Sequence, residues 1–422
     1  MYTTLREILP SGRAITDEER GAGRRRVSRI VVTLGVVSFF TDLSSEMVLA
    51  VLPMYLTLEL GLTAMQYGLV DGVYTGITAV VRIAGGLLAD VTRRPKRVAL
   101  VGYGVSCVTK LLFLPAGGFA AVTGLVALDR SGKGLRTAPR DAMIANSAET
   151  QDLGRAFGVH RAMDTAGALG GPLIAFGVLA MLVHGYSFIF VLSFSLAAIG
   201  VAVLALFVPE RRVLDVRSTG SSRARRTLIE AGSLAADRRY RRVLAAGGLL
   251  SLATVSDGFL YLSIERRVDL DPAAFPLLYL GTAVSYLVFA IPVGRIADRV
   301  GRRQVFVGGH VLAVAAYLVL LFAAPGPALL VAVLLLVGLY YAATDGVLAA
   351  LTAGLVPADL RGTGIAGAQT ATAVGALLSA ALFGWLWGAF GEPSAVAGFA
   401  VGLVAAIGTA TVLLRGVVAP GR

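Results

Sequence analysis

Gly86-Leu87-Leu88-Ala89-Asp90 in the first half of this chain and Gly294-Arg295-Ile296-Ala297-Asp298 in the second are two copies of one pattern, 208 residues apart. Two further pairs of markers follow in the same order. Asp141 is matched by Asp345 at an offset of 204, and Asp152-Leu153-Gly154-Arg155 is matched by Asp359-Leu360-Arg361 at an offset of 206 to 207. Markers that recur in one order at nearly one offset indicate an internal duplication. In membrane proteins such duplication is a hallmark of secondary transporters, whose binding site lies between the repeats.

The surroundings of these markers are apolar. The chain has 422 residues, 56% of them hydrophobic and 15% charged, with a mean hydropathy of +0.77; soluble domains carry about 25% charged residues. Crossing the hydrocarbon core takes about 20 apolar residues in a helix. That template predicts twelve spans, near 31–57, 66–89, 97–116, 118–146, 154–181, 186–208, 243–264, 273–296, 303–323, 327–354, 362–388 and 394–415. The fourth and fifth are interrupted by charge.

The basic residues test this count independently, because they concentrate on cytoplasmic loops. With both termini cytoplasmic, 29 of the 38 Lys and Arg residues fall inside, only Arg266 and Arg267 fall outside, and 7 lie within spans. Adding or removing one early span destroys that asymmetry. The net charge of +12 is therefore read as topology and not as nucleic-acid binding. The expected fold class is an all-α membrane protein of twelve transmembrane helices in two six-helix bundles. The expected organisation is a cytoplasmic segment 1–30, a bundle 31–208, a basic linker 209–242 at the anionic inner leaflet, a second bundle 243–415 and a tail 416–422. Residues 1–30 are polar and Arg-rich and do not read as a signal peptide. Arg in place of Lys, with abundant Ala and Gly, hints at a GC-rich bacterial genome, so the expected location is a bacterial cytoplasmic membrane. Cys107 is the single cysteine, which excludes disulfides within the chain and a cysteine metal cluster.

The second marker continues as Asp298-Arg299-Val300-Gly301-Arg302-Arg303, and the whole resembles the Gly-x-x-x-Asp-Arg-x-Gly-Arg-Arg loop signature of the major facilitator superfamily. The first copy keeps Gly86 and Asp90 but has Arg93 where a glycine is usual. Arg130-Ser131-Gly132-Lys133-Gly134 resembles the family's Arg-x-x-Gln-Gly motif, with Lys133 in place of Gln. Gly167-Ala168-Leu169-Gly170-Gly171-Pro172 resembles the Gly-x-x-x-Gly-Pro motif of its proton-coupled antiporters. The resemblance implies spans 1, 4, 7 and 10 around a central cavity and spans 3, 6, 9 and 12 at the periphery. In physical terms Asp90 and Asp298 suit a latch, since a carboxylate is favoured at a helix N-terminus, here the starts of spans 11 and 5. Arg93, Arg94, Arg299 and Arg302 would then pair with cytoplasmic acidic groups.

Charge at mid-bilayer costs about 2.5–3.5 kcal/mol on insertion scales, so an intramembrane charge is a functional hypothesis. Asp42 and Glu46, one turn apart in span 1, share a helix face, and at 1.5 Å per residue Asp42 lies ~16 Å from the inner end and Arg130 ~18 Å from the outer end of span 4. Asp42 or Glu46 is therefore expected to carry a coupling proton, with Arg130 as the modulating cation. Arg130, Lys133 and Arg136 recur at threes and make a basic stripe, which is an anion site unless nearby carboxylates neutralise it. Asp71, Tyr74 and Arg82 share a face of span 2; Arg161 and Asp164 share a face of span 5. Asp257, Tyr286, Tyr340, Tyr341, Asp345 and Gln369 complete the expected substrate cavity. Gly167, Gly171 and Pro172 are expected to let helices approach and bend.

The function expected from these residues is secondary transport of a small solute by alternating access, as proton-coupled efflux of amphipathic molecules. An alternative is uptake or exchange of an anionic metabolite on the basic stripe, and a second is a membrane sensor without flux. No metal-ligand cluster, phosphate loop or nucleophile constellation is present in the sequence, so no enzyme, cofactor or metal is expected. Substrate, protons and lipid are the expected partners of a monomer.

Overall fold

A computed structural model describes residues 27–92, 94–149, 152–182, 184–210, 234, 236–357 and 360–417. All regular structure among them is helical. The first bundle comprises α1 (Arg29–Met54), α2 (Ala64–Thr92), α3 (Pro95–Leu112), α4 (Phe119–Ala145), α5 (Leu153–Met181) and α6 (Tyr186–Phe207). The second comprises α7a (Arg238–Leu252), α7b (Asp257–Val268), α8 (Pro276–Val300), α9 (Arg302–Phe322), α10 (Pro327–Ala353), α11 (Arg361–Phe390) and α12 (Glu392–Leu413). The predicted segment 1–30 and tail 416–422 fall almost entirely outside the described residues, as does most of the linker, whose final residues already belong to α7a.

Nine of these spans, counting α7a and α7b as one, are long and apolar enough to cross a membrane by composition alone. The other three are α2, α3 and α4. Their windows are diluted by residues such as Lys110 in α3 and the Asp129-to-Asp141 run of charges in α4. These charges face protein, not lipid: Lys110, Asp129, Arg130 and Arg136 are all buried. Apolar side chains such as Leu206, Phe207, Phe322 and Val401 instead point outward, 68 to 80% exposed, which suits a hydrocarbon surround.

The duplication seen in the sequence is repeated in the packing. Within the first bundle α1 packs on α5 and α6, α2 on α4, and α3 on α4 and α6. Within the second, α7a packs on α11 and α12, α8 on α10, and α9 on α10 and α12. Each contact in one bundle has its counterpart in the other under a shift of six helices. The bundles meet through α2 with α11 and α5 with α8, which are again exchanged by that shift.

Close approach at these seams depends on missing side chains. A Cβ on Gly72 would sit 2.7 Å from the Leu377 carbonyl oxygen of α11. Gly68 would meet the carbonyl of Ala380, and Gly384 that of Ala64. This seam lies at the end of the bundles opposite the linker. Tyr67 extends the closure there, packing edge-on against Phe259 at 4.8 Å, which in turn contacts Phe383 and Trp387. In the first bundle Gly167 lies against the Phe39 carbonyl, and a Cβ on Gly171 would come within 2.6 Å of the Met47 amide nitrogen. The Gly-Pro motif of α5, with Pro172 buried, thus holds α5 against the stretch of α1 that carries Asp42 and Glu46.

Span 7 departs from expectation. It is not one helix over 243–264 but two, separated by Ala253-Thr254-Val255-Ser256. Hydrogen bonds from outside replace the interrupted ladder: Tyr317 Oη accepts from the Val255 amide at 2.8 Å, and Ser379 Oγ donates to the Thr254 carbonyl at 2.5 Å. Broken helices survive at membrane depth only where protein or a cavity satisfies the backbone, and this one borders a cavity.

Candidate functional site

The ionisable residues inside the bundles sort into two separate places. The first is a buried ionic network in the N-terminal bundle. Asp129 of α4 accepts from Lys110 Nζ at 2.7 Å and Thr109 Oγ1 at 3.1 Å on one oxygen, and from Arg130 Nε at 2.9 Å on the other. Arg130 lies over the Tyr74 ring, 4.0 Å from its centroid. One turn further on, Lys133 Nζ reaches Glu46 at 3.4 Å, and Arg136 Nη2 reaches Asp42 at 3.4 Å while stacking on Tyr103. At the next turn Arg140 pairs with Asp141 at 3.0 Å and with Asp164 at 3.6 Å, and Arg161 also reaches Asp164 at 3.5 Å. Ser38 accepts from Arg140 and shares a 2.8 Å hydrogen bond with the buried His160.

Contact between α1 and α4 is therefore present, but not through the cation expected. Arg130 does not pair with Asp42 or Glu46; its guanidinium folds back on Asp129. The reason is rotational register. Lys133 and Arg136 are the residues of the stripe turned toward α1, whereas Arg130 faces Asp129, Lys110 and the back of Tyr74. The basic stripe is also no open anion site, since each cation in it has a carboxylate partner.

The second place is a cavity of about 500 Å³ between the bundles, lined from α2, α7a, α7b, α8, α9, α10 and α11, with Leu49 the contribution of α1. Of the expected cavity residues, Asp71, Tyr74, Arg82, Asp257, Tyr340, Tyr341, Asp345 and Gln369 line it. Lys133, Arg136, Arg161, Asp164 and Tyr286 do not. The first four are consumed in the ionic network, and Tyr286 is buried on the α8 face that packs against Gly338 of α10. Asp42, Glu46 and Arg130 also stand outside the lining; Arg130 sits one layer behind it, on the far face of Tyr74.

Within the cavity, Arg82 donates to Gln369 Oε1 at 2.6 Å, linking the two bundles. Tyr341 Oη donates to Asp257 at 2.7 Å. His310 donates its Nδ1 proton to the Phe306 carbonyl at 2.9 Å and meets Tyr340 edge-on. Asp71 Oδ2 and Ser256 Oγ are buried beside each other, and neither has a partner other than the other. Ser256 and the break in span 7 escaped the sequence reading. The signal was the run of hydroxyls Ser251, Thr254 and Ser256 leading into Asp257-Gly258, a turn-forming pair inside a largely apolar span.

At the linker end, Arg93 and the side chain of Asp90 lie outside the described residues. Asp298 pairs with Arg302 at 3.6 Å. Arg302 also donates to the Ala350 carbonyl at 2.8 Å, and Arg303 to the Leu414 carbonyl at 3.3 Å, so these arginines serve the C-terminal ends of α10 and α12, where cations are favoured. Gly301, between α8 and α9, has φ 118°, a conformation side chains rarely adopt. Gly294 and Arg299 lie on α8 in the same segment, Arg299 exposed, and Gly86 sits on α2 beside Ala138 of α4.

The family model described as Major Facilitator Superfamily matches residues 34–268 and 252–422. The chain belongs to the Major Facilitator Superfamily. It is accordingly a multi-pass membrane protein and a secondary transporter, not an enzyme. Among curated relatives of this superfamily member, an uncharacterized MFS-type transporter of Methanocaldococcus jannaschii is 28% identical over 86% of this chain and 89% of its own length. An uncharacterized protein of Mycobacterium tuberculosis is 30% identical over 87% and 89%. Among solved structures, the nucleoside transporter NupG superposes with a TM-score of 0.74 at 15% identity, covering 92% of this chain and 99% of that one. A peptide transporter, POT, gives 0.75 at 17% identity over 92% and 94%. At those identities the superfamily fold is what is shared.

Proposed function

We propose that this transporter exports amphipathic small molecules from a bacterial cell in exchange for protons. The observation that carries the reading is the pairing of two places: a cavity shared by both bundles, and, directly behind its wall, carboxylates of α1 held by cations of α4. Protonating Asp42 or Glu46 removes the charge that Arg136 or Lys133 holds, so the α1–α4 contact loosens. Because Arg130 of the same helix backs Tyr74, a shift of α4 moves the cavity wall. The coupling pair is thus assigned to Asp42 with Arg136 and Glu46 with Lys133, and Arg130 becomes the link to the cavity. The aromatic lining of Tyr74, Tyr279, Tyr340, Tyr341 and Phe306 suits an apolar substrate body. With the stripe neutralised, the anion reading is left with Arg82 alone among the described cavity residues.

The test is transport in liposomes made acid inside. An environment-sensitive amphipathic dye should accumulate while the pH gradient lasts and leave when an ionophore collapses it. Asp42→Asn should abolish gradient-driven accumulation while leaving exchange of dye across the membrane at zero gradient. Accumulation indifferent to the gradient, or wild-type coupling in Asp42→Asn, would contradict the reading.

A further inference from the structure

The cavity contains two carboxylates from opposite bundles, neither of them paired with a cation among the described residues. Asp71 comes from α2, and Asp257 is the first residue of α7b, where span 7 is broken. Both line the same cavity. Among the described residues no Lys, Arg or His lies within ion-pairing distance of either. Asp257 has one hydrogen bond, from Tyr341, and Asp71 Oδ2 has no neighbour to bond but the neutral Ser256 hydroxyl. In the N-terminal network, by contrast, Asp42, Glu46, Asp129, Asp141 and Asp164 each hold at least one cation. The only Arg or Lys lining the cavity among the described residues is Arg82, which bonds the neutral Gln369 and sets one positive charge against the cavity carboxylates. A third carboxylate, Asp345, is exposed to the same space. Removing a carboxylate from water without a partner is costly, and a site that retains such groups beside aromatic faces is complementary to a cation with an apolar body.

We infer that the substrate is an organic cation whose positive centre sits between Asp71 and Asp257, with its apolar body against the tyrosines of α8 and α10. The inference deepens the transporter reading and rests on it. A cation held by one carboxylate from each bundle also draws the bundles together, since each half supplies part of its countercharge. Substrate binding would thereby favour the arrangement in which the cavity closes, which is how a ligand shifts a two-state equilibrium.

Tetraphenylphosphonium and tetraphenylborate isolate the charge, being near-identical in size and shape and opposite in sign. Binding of each to the full chain in detergent should be measured by equilibrium dialysis, with melting temperature as a check on folding. The phosphonium should bind at least about tenfold more tightly than the borate, and Asp71→Asn or Asp257→Asn should each weaken it by about tenfold or more. Asp71→Glu, which restores the charge, should recover most of the affinity. Asp269→Asn, which removes an exposed carboxylate at the C-terminal end of α7b outside the cavity, should leave binding unchanged. Equal affinity for the two probes, no binding of the phosphonium, or indifference to both cavity aspartates would overturn the inference. Gradient-driven dye flux surviving those failures would leave the transporter reading standing. Charge-selective binding without gradient-driven flux would leave the cation site and remove proton-coupled export.

Discussion

Asp129→Ala should be the most destabilising single substitution in the N-terminal bundle. Among the described residues its carboxylate is the only partner within ion-pairing distance of both Lys110, whose side chain is 1% exposed, and Arg130, 4% exposed. Breaking one buried pair leaves an uncompensated charge and costs about 3–5 kcal/mol; here two cations are stranded by one change. The expected readout is a melting temperature in detergent lower by roughly 10 °C or more. Lys110→Met should be far milder, because Asp129 retains Arg130 and methionine fills a similar volume. That contrast is the informative part. If the two variants melt alike, the network is not held together by Asp129, and Arg130 is fixed by its Tyr74 contact alone.

The second large effect belongs to the seam between α2 and α11. Gly68→Val and Gly72→Val place side chains where the Ala380 and Leu377 carbonyls already lie. Forcing volume into a packed contact costs about 1–3 kcal/mol, and each 1.4 kcal/mol changes an equilibrium tenfold. The cost falls on one arrangement only, the one closed at the end opposite the linker. Each bundle keeps its own core, so these variants should remain folded, with a melting temperature near wild type. Transport should nevertheless drop by about tenfold or more, because the closed end is reached too rarely. Unimpaired flux in Gly72→Val would show that this seam need not close during the cycle. A comparable change on a lipid-facing position such as Ala405 has no such neighbour and serves as the control.

The architecture was legible in the sequence because it rests on one-dimensional properties. Apolar run lengths, the asymmetry of Lys and Arg and the recurrence of Gly86-to-Asp90 as Gly294-to-Asp298 survive without knowing how any helix is turned. Pairing within the bundles does not. Each residue rotates a helix by about 100°, so Arg130, Lys133 and Arg136, three apart, drift from one neighbour to the next. Their spacing predicted a stripe but not which member meets α1. Adjacent residues on a helix ordinarily do not face each other, which hid Arg130 and Asp129; the long guanidinium arm folds back and defeats that rule. The cavity was legible in part for the same reason. Asp71, Tyr74 and Arg82 were grouped by a helical face and do line it, whereas Tyr286 lies on the packed face of α8. The break at Ala253–Ser256 is marked locally only by the Asp257-Gly258 pair that follows it, and it is stabilised by distant partners, Tyr317 and Ser379, that only the fold brings near.

In the proposed cycle one aqueous cavity between the bundles opens to one side of the membrane at a time. Thr75 lines that cavity and is exposed within it, so Thr75→Cys on a Cys107→Ala background reports its access directly. In oriented membrane vesicles a membrane-impermeant maleimide should modify this cysteine from the linker side and not from the opposite side. Adding Gly72→Val should make it reactive from the opposite side as well. A cysteine that reacts from neither side, or from both sides equally before the seam is disturbed, would contradict alternating access through this cavity.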